Sequence, residues 1–126
     1  MQALVGNPMG SKVIVAEYDL FVASALKDFL KSIGFAVTVV SSGEAVRRLV
    51  KTDDFAAILL DSELSDVNSF ALCMEIVKSC PKTLVEMTSA WPDLTAEAIQ
   101  AGAAAFVEKP QLSRISGLLQ NLIPHV

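Results

Sequence analysis

The sequence is poor in the residues that most often build a metal or nucleophile site on their own. It has one histidine and two cysteines in 126 residues. His125 stands at the next-to-last position, where chain ends fray, and is assigned no role. Cys73 and Cys80 lie on one face of a helical pattern but about two turns, ~10 Å, apart. That is too far for a disulfide, so both read as buried thiols. Lysine and arginine number 10 against 14 acidic residues, giving a net charge of −4 and a pI near 4.8. No basic run is present, which speaks against direct contact with nucleic acid. No apolar stretch approaches the ~20 residues of a membrane span. Residues 1–11 are polar and small, lack the cationic start and apolar core of a signal peptide, and read as a flexible N-terminal segment. The expectation is a cytoplasmic protein without a membrane or nucleic-acid partner.

What the chain does have is apolar residues, at 52% of the total, a share that suits a sheet covered on both faces. Ala56-Ala57-Ile58-Leu59-Leu60-Asp61 is a short unbroken apolar run that delivers one carboxylate to its end, the mark of a strand buried on both sides. Around it, strands read at Lys12–Ala16, Phe35–Val40, Thr83–Met87 and Ala103–Val107. Helical periodicity fills the gaps. Phe21, Val22, Ala25, Leu26, Phe29, Leu30 and Ile33 form one face, closed by Gly34. Ser41-Ser42-Gly43-Glu44 offers a capping box to a helix that buries Ala45, Val46, Leu49 and Val50. A third helix runs through Phe70, Ala71, Met74 and Val77, and a short fourth opens at Pro92 and carries Leu94, Ala98 and Ile99. The last shows Leu112, Ile115, Leu119 and Leu122. Five strands alternating with five helices imply an α/β fold: a doubly wound parallel sheet of order 2-1-3-4-5 with helices on both faces.

In such sheets the working site lies beyond the carboxyl ends of the strands, beside the switch point. Four strand ends converge there: Glu17, Asp61, Thr88 and Lys109. Carboxylates suit Mg2+, a hard cation that neutralises phosphoryl oxygens. A hydroxyl and an ammonium bind the remaining oxygens, and an aspartate is a plausible nucleophile for an acyl phosphate.

This set of residues resembles the receiver domain of two-component signalling, the response-regulator fold of chemotaxis proteins, over Lys12 to about Ile123; the domain is placed at 12–126. The family pattern is an acidic pair after the first strand, a phosphoacceptor Asp after the third, Thr or Ser after the fourth and Lys-Pro after the fifth. Here these positions hold Glu17-Tyr18, Asp61, Thr88 and Lys109-Pro110. The resemblance implies that Asp61 accepts a phosphoryl group from a histidine kinase or phosphotransfer protein. It implies Mg2+ held by Glu17, Asp61 and the backbone carbonyl of Glu63. Thr88, Ser89 and Lys109 would contact the phosphoryl group, and Phe106 would be the aromatic that turns inward as Thr88 moves. The partner downstream would be another protein or a fused output domain, and the chain would be no enzyme beyond gaining and losing its own phosphoryl group.

Three positions depart from that pattern. Tyr18 replaces a second carboxylate, and Ser65 and Ser69 stand where the loop after the third strand usually has Pro and Gly. A phenol with a reference pKa of about 10 ligates Mg2+ poorly. The Glu63 side chain and Asp19 are the carboxylates expected to compensate. Tyr18 also opens an alternative, a pseudo-receiver that docks proteins without phosphorylation. A flavin or nucleotide enzyme of similar shape fits poorly, since Glu17-Tyr18-Asp19-Leu20-Phe21 is acidic and bulky where a phosphate-cradling loop is needed. Trp91 reads equally as a docking anchor or as packing against a neighbouring helix.

Overall fold

Ten elements form between Lys12 and Glu108 in a computed structural model that describes residues 10–109. They are β1 (Lys12–Ala16), α1 (Leu20–Ser32), β2 (Ala36–Val40), α2 (Gly43–Thr52), β3 (Ala57–Asp61), α3 (Ser69–Ser79), β4 (Leu84–Ser89), a 3-10 turn (Pro92–Leu94), α4 (Thr95–Gln100) and β5 (Ala105–Glu108). The sheet is five-stranded and parallel, in the order β2-β1-β3-β4-β5. The N-terminal segment 1–9, Pro110, the last helical stripe and His125 lie outside the described residues.

Period-2 alternation sorts the strand side chains into two cores. Val13, Val15, Ala57, Leu59 and Val107 face α1, where Leu26 and Leu30 meet them. Ile14, Ala16, Ile58, Leu60, Val85, Met87 and Phe106 face α2, α3 and α4, and pack with Val46, Leu72, Cys73, Ile76 and Ala98. Every residue of β3 is buried, Asp61 included, which is why its sequence is apolar without alternation. β2, at the sheet edge, is largely exposed.

The helical faces differ from those expected. In α1 the buried positions are Ala23, Leu26 and Leu30, while Ala25 is exposed and Phe21 is 89% exposed. Phe21 sits in the first turn of α1. α3 buries Ser69, Leu72, Cys73 and Ile76 most fully; Phe70 and Val77 are partly buried against the same core, while Ala71 and Met74 face outward. Apolar residues run almost continuously along this helix, so both sets satisfy helical spacing. Ile99 is likewise exposed, leaving Ala98 as the buried residue of α4. The expected capping box is not formed. Ser42 caps α2 alone by accepting from Ala45 N, and Asp66, from the loop after β3, takes the Gly43 and Glu44 N–H groups. Gly34 does stop α1, with φ at +105°. β4 runs on through Thr88 and Ser89, and β5 starts at Ala105 rather than Ala103 and takes in Glu108.

Candidate functional site

Strand ladders carried past their last side-chain pair bring the candidate residues together. Glu17 N–H donates to the Val40 carbonyl, Ser62 N–H to the Thr88 carbonyl and Lys109 N–H to the Ser89 carbonyl. Across the sheet Asp61 pairs with Thr88, and Thr88 with Val107. Glu17, Asp61, Thr88 and Lys109 therefore share one edge, as expected from the strand order. Glu17, Tyr18, Asp19, Val22, Asp61, Glu63, Ala90 and Lys109 line a cavity there.

Lys109 is the centre of the charge pattern. Its Nζ lies 2.9 Å from Glu17 Oε2 and 3.0 Å from Asp61 Oδ1, so one ammonium bridges two buried carboxylates. Backbone donors complete Asp61. Tyr18 N–H donates to Oδ2 at 3.0 Å and Glu63 N–H to Oδ1 at 2.9 Å. Burial pushes the Asp61 carboxyl upward, but these two amides and Lys109 together hold it below its ordinary value. Asp61 is thus an anion at neutral pH. Glu17 goes the other way. Burial dominates there and raises its pKa to about 6, against the opposing help of Asp19 N–H and Lys109. Lys109 is itself disfavoured by burial, yet its two acid partners raise its pKa above the usual lysine value.

The other expected residues fall around this triad. Thr88 and Ser89 are buried at the end of β4, and Phe106 is buried beside Met87. Tyr18 is 64% exposed and contributes its backbone amide, described above, to the pocket. Trp91 is 59% exposed, which favours the surface reading of that residue over packing. The two carboxylates expected to compensate for Tyr18 both line the cavity and are engaged in hydrogen bonds of their own. Asp19 is the N-cap of α1, accepting from Phe21 and Val22 N–H. The Glu63 side chain turns to Ser89 and Ala90. Among the described residues, no group of three or more His, Cys, Asp or Glu side chains converges as a metal-binding cluster.

A smaller donor set remains, and it fits a weakly held hard cation. Glu17 and Asp61 supply oxygen, and Glu17 Oε1 is buried without a hydrogen-bond partner among the described residues. One or two carboxylates are what Mg2+ commonly takes from a protein, with water and phosphate completing its shell. Sequence reasoning also missed a support. Ser69, noted only as a departure, donates its hydroxyl to the Asp61 carbonyl at 2.7 Å and so pins the end of β3. The signal was its place right after Asn68, the N-cap of α3, where the helix turns back under the strand.

The family model described as the response regulator receiver domain matches residues 13–120. The chain belongs to this family. Among curated relatives, the chemotaxis protein CheY of Thermotoga maritima is 30% identical over 121 residues, covering 90% of this chain and 98% of that one. The transcriptional regulatory protein CutR of Streptomyces coelicolor is 30% identical over 101 residues, 79% of this chain. The chain spans about half, 46%, of the length of CutR. Among solved structures, a CheY-like receiver domain protein from Methanospirillum hungatei has a TM-score of 0.80 at 20% identity, covering 90% of this chain and 96% of that one. The beryllofluoride-activated receiver domain of DrrB has a TM-score of 0.76 at 25% identity, covering 89% and 99%. Receivers are signalling domains of two-component systems, and they generally bind Mg2+ at the acidic pocket. Among the described residues of this receiver, no helix is long and apolar enough to cross a membrane.

Proposed function

We propose that this receiver is a phosphorylation switch in the cytoplasm whose phosphoacceptor is Asp61. The observation that carries the reading is the buried Asp61 carboxylate, paired to Lys109 at 3.0 Å and held by two backbone N–H groups. An Asp61 oxygen forms a bond to phosphorus as the bond from phosphorus to the donor breaks, and the electron pair of that bond leaves with the donor. The donor is a phosphohistidine of a kinase or phosphotransfer protein, or a small acyl phosphate. Lys109 then turns from the carboxylates to the phosphoryl oxygens, and the Thr88 hydroxyl supplies a further donor beside the small Ser89. Mg2+ held by Glu17, Asp61 and the Glu63 carbonyl would neutralise charge on the transferred group. The movement of Thr88 and Phe106 alters the surface around the end of β4, where a downstream protein or a fused output domain reads it. No catalysis is assigned beyond gain and loss of this one group.

Acetyl phosphate with Mg2+, followed by intact mass measurement, tests the proposal. One added phosphoryl group is expected, absent in Asp61→Asn and absent with EDTA. Tyr18 favours a second reading, a pseudo-receiver that docks its partner without phosphorylation, because it stands where the family pattern has a second carboxylate. No added mass from acetyl phosphate, together with no response to beryllofluoride, would decide for that second reading.

A further inference from the structure

Glu63 makes contacts that lead in two directions. Its backbone N–H reaches Asp61 Oδ1 at 2.9 Å, while its side chain turns toward the end of β4. There Oε2 accepts from the Ser89 hydroxyl at 3.3 Å and from Ala90 N–H at 3.2 Å. The Ser89 hydroxyl, its one hydrogen given to Glu63, accepts the N–H of Trp91 at 3.0 Å. A line of hydrogen bonds therefore runs from Asp61 to the backbone of Trp91, whose side chain is the large exposed aromatic of this loop. It joins segments 26 and 27 residues apart in the chain. A carboxylate suits this place, because every group it meets is a donor and it has lone pairs for both.

We infer that the Glu63 side chain is a clamp on the loop between β4 and α4, a positioning residue that fixes Ala90 and Trp91 while Asp61 carries no added group. Past Ser89, whose carbonyl ends the ladder with Lys109, the N–H groups of Ala90 and Trp91 both end on the Glu63–Ser89 pair. The clamp acts in the unmodified protein and goes beyond the proposed phosphotransfer. It also provides a route out of the site, and that step does rest on the proposed function. A group added to Asp61 changes the acceptor that Glu63 N–H faces, and Glu63 cannot shift without moving Ala90 and Trp91.

Amide hydrogen exchange on the unmodified protein tests the clamp, read at Ala90 and Trp91 with Ile14 and Val15 of β1 as internal references. Glu63 is exposed, so its variants are expected to fold. Glu63→Ala should speed exchange at Ala90 and Trp91 about tenfold and leave β1 unchanged. Glu63→Gln, which keeps an acceptor oxygen, should restore most of the protection. Exchange at Ala90 and Trp91 within about twofold of the wild type in Glu63→Ala overturns the clamp. So does an equal rise at Ile14 and Val15, which would make Glu63 a general stabiliser. Beryllofluoride with Mg2+ then separates the two proposals. A smaller change in Trp91 emission in Glu63→Ala than in the wild type supports the route from Asp61, and an equal or larger change overturns it. No emission change in either protein, with the exchange result intact, counts against the phosphoacceptor reading and leaves the clamp standing.

Discussion

Glu17→Gln isolates the energetic cost of the buried acid beside the candidate phosphoacceptor. Burial raises the Glu17 pKa from 4.5 to about 6, so the folded protein holds this proton more tightly than the unfolded chain does. The sign follows from proton linkage. Between the unfolded and folded values the native state binds more protons, so stability falls as pH rises through that window. A shift of about 1.5 units corresponds to about 2 kcal/mol, present below pH 4.5 and gone above pH 6. Glutamine resembles the protonated acid and cannot ionise. The stability of Glu17→Gln relative to wild type should therefore improve by about 2 kcal/mol between pH 4.5 and 7.5. Urea denaturation followed by circular dichroism, with EDTA present, would read this as a midpoint difference that moves by about 1 M. Titrations of groups that do not touch Glu17 cancel in the difference between the two proteins. A midpoint difference that is the same at both pH values would refute the argument, and would mean that Lys109 alone neutralises Glu17.

Three other substitutions probe the surroundings. Lys109→Met leaves Glu17 and Asp61 buried without their shared cation, and should cost about 3 kcal/mol at pH 7.5 by urea denaturation, with a smaller loss at pH 4.5 where Glu17 is protonated. Gly43→Ala drives a Cβ into the Val67 side chain, and should lower stability by about 2 kcal/mol in thermal unfolding, with recovery when Val67→Ala is added. Tyr18→Asp should tighten Mg2+ binding at least about tenfold by isothermal titration calorimetry, and unchanged affinity would remove Tyr18 as the cause of weak binding.

The sheet was legible because its signals are local. The fully buried β3 betrays itself by an apolar run with no alternation, and the turn to the next strand requires a crossover helix. From the strand order alone, Glu17, Asp61, Thr88 and Lys109 fall on one edge, as they do in the structure. Long-range detail was not legible. The inward face of α3 depends on what the sheet presents to it, and two sets of apolar residues met the helical spacing equally well. Asp66, which joins the N-cap Ser42 in accepting from the first turn of α2, is 23 residues from Gly43. Glu63 illustrates the same limit. Its position two residues past Asp61 suggested a backbone carbonyl for the metal, but gave no sign that the side chain would meet donors at the end of β4.

The opposite shifts of the two acids bear on what Tyr18 does to the pocket. Both carboxylates touch the same ammonium at nearly equal distance, so Lys109 does not distinguish them. Backbone amides do: Asp61 receives two and Glu17 one, with Glu17 Oε1 left unsatisfied among the described residues. The group best supported as an anion is the one the proposed reaction needs as nucleophile, and the acid with a spare oxygen is the one the proposed metal needs as ligand. Two carboxylates against one ammonium give these groups a charge of about −1 when all are ionised, where a third carboxylate would give about −2. That difference acts on two steps in opposite directions. It weakens the pull on a divalent cation and lessens the repulsion of an anionic phosphodonor. If the metal is what limits phosphorylation, Tyr18→Asp should speed labelling by acetyl phosphate as it tightens Mg2+. If repulsion is limiting, the same change should slow labelling once Mg2+ is saturating. Measuring binding and labelling on the one variant therefore tells which of the two forces governs this pocket.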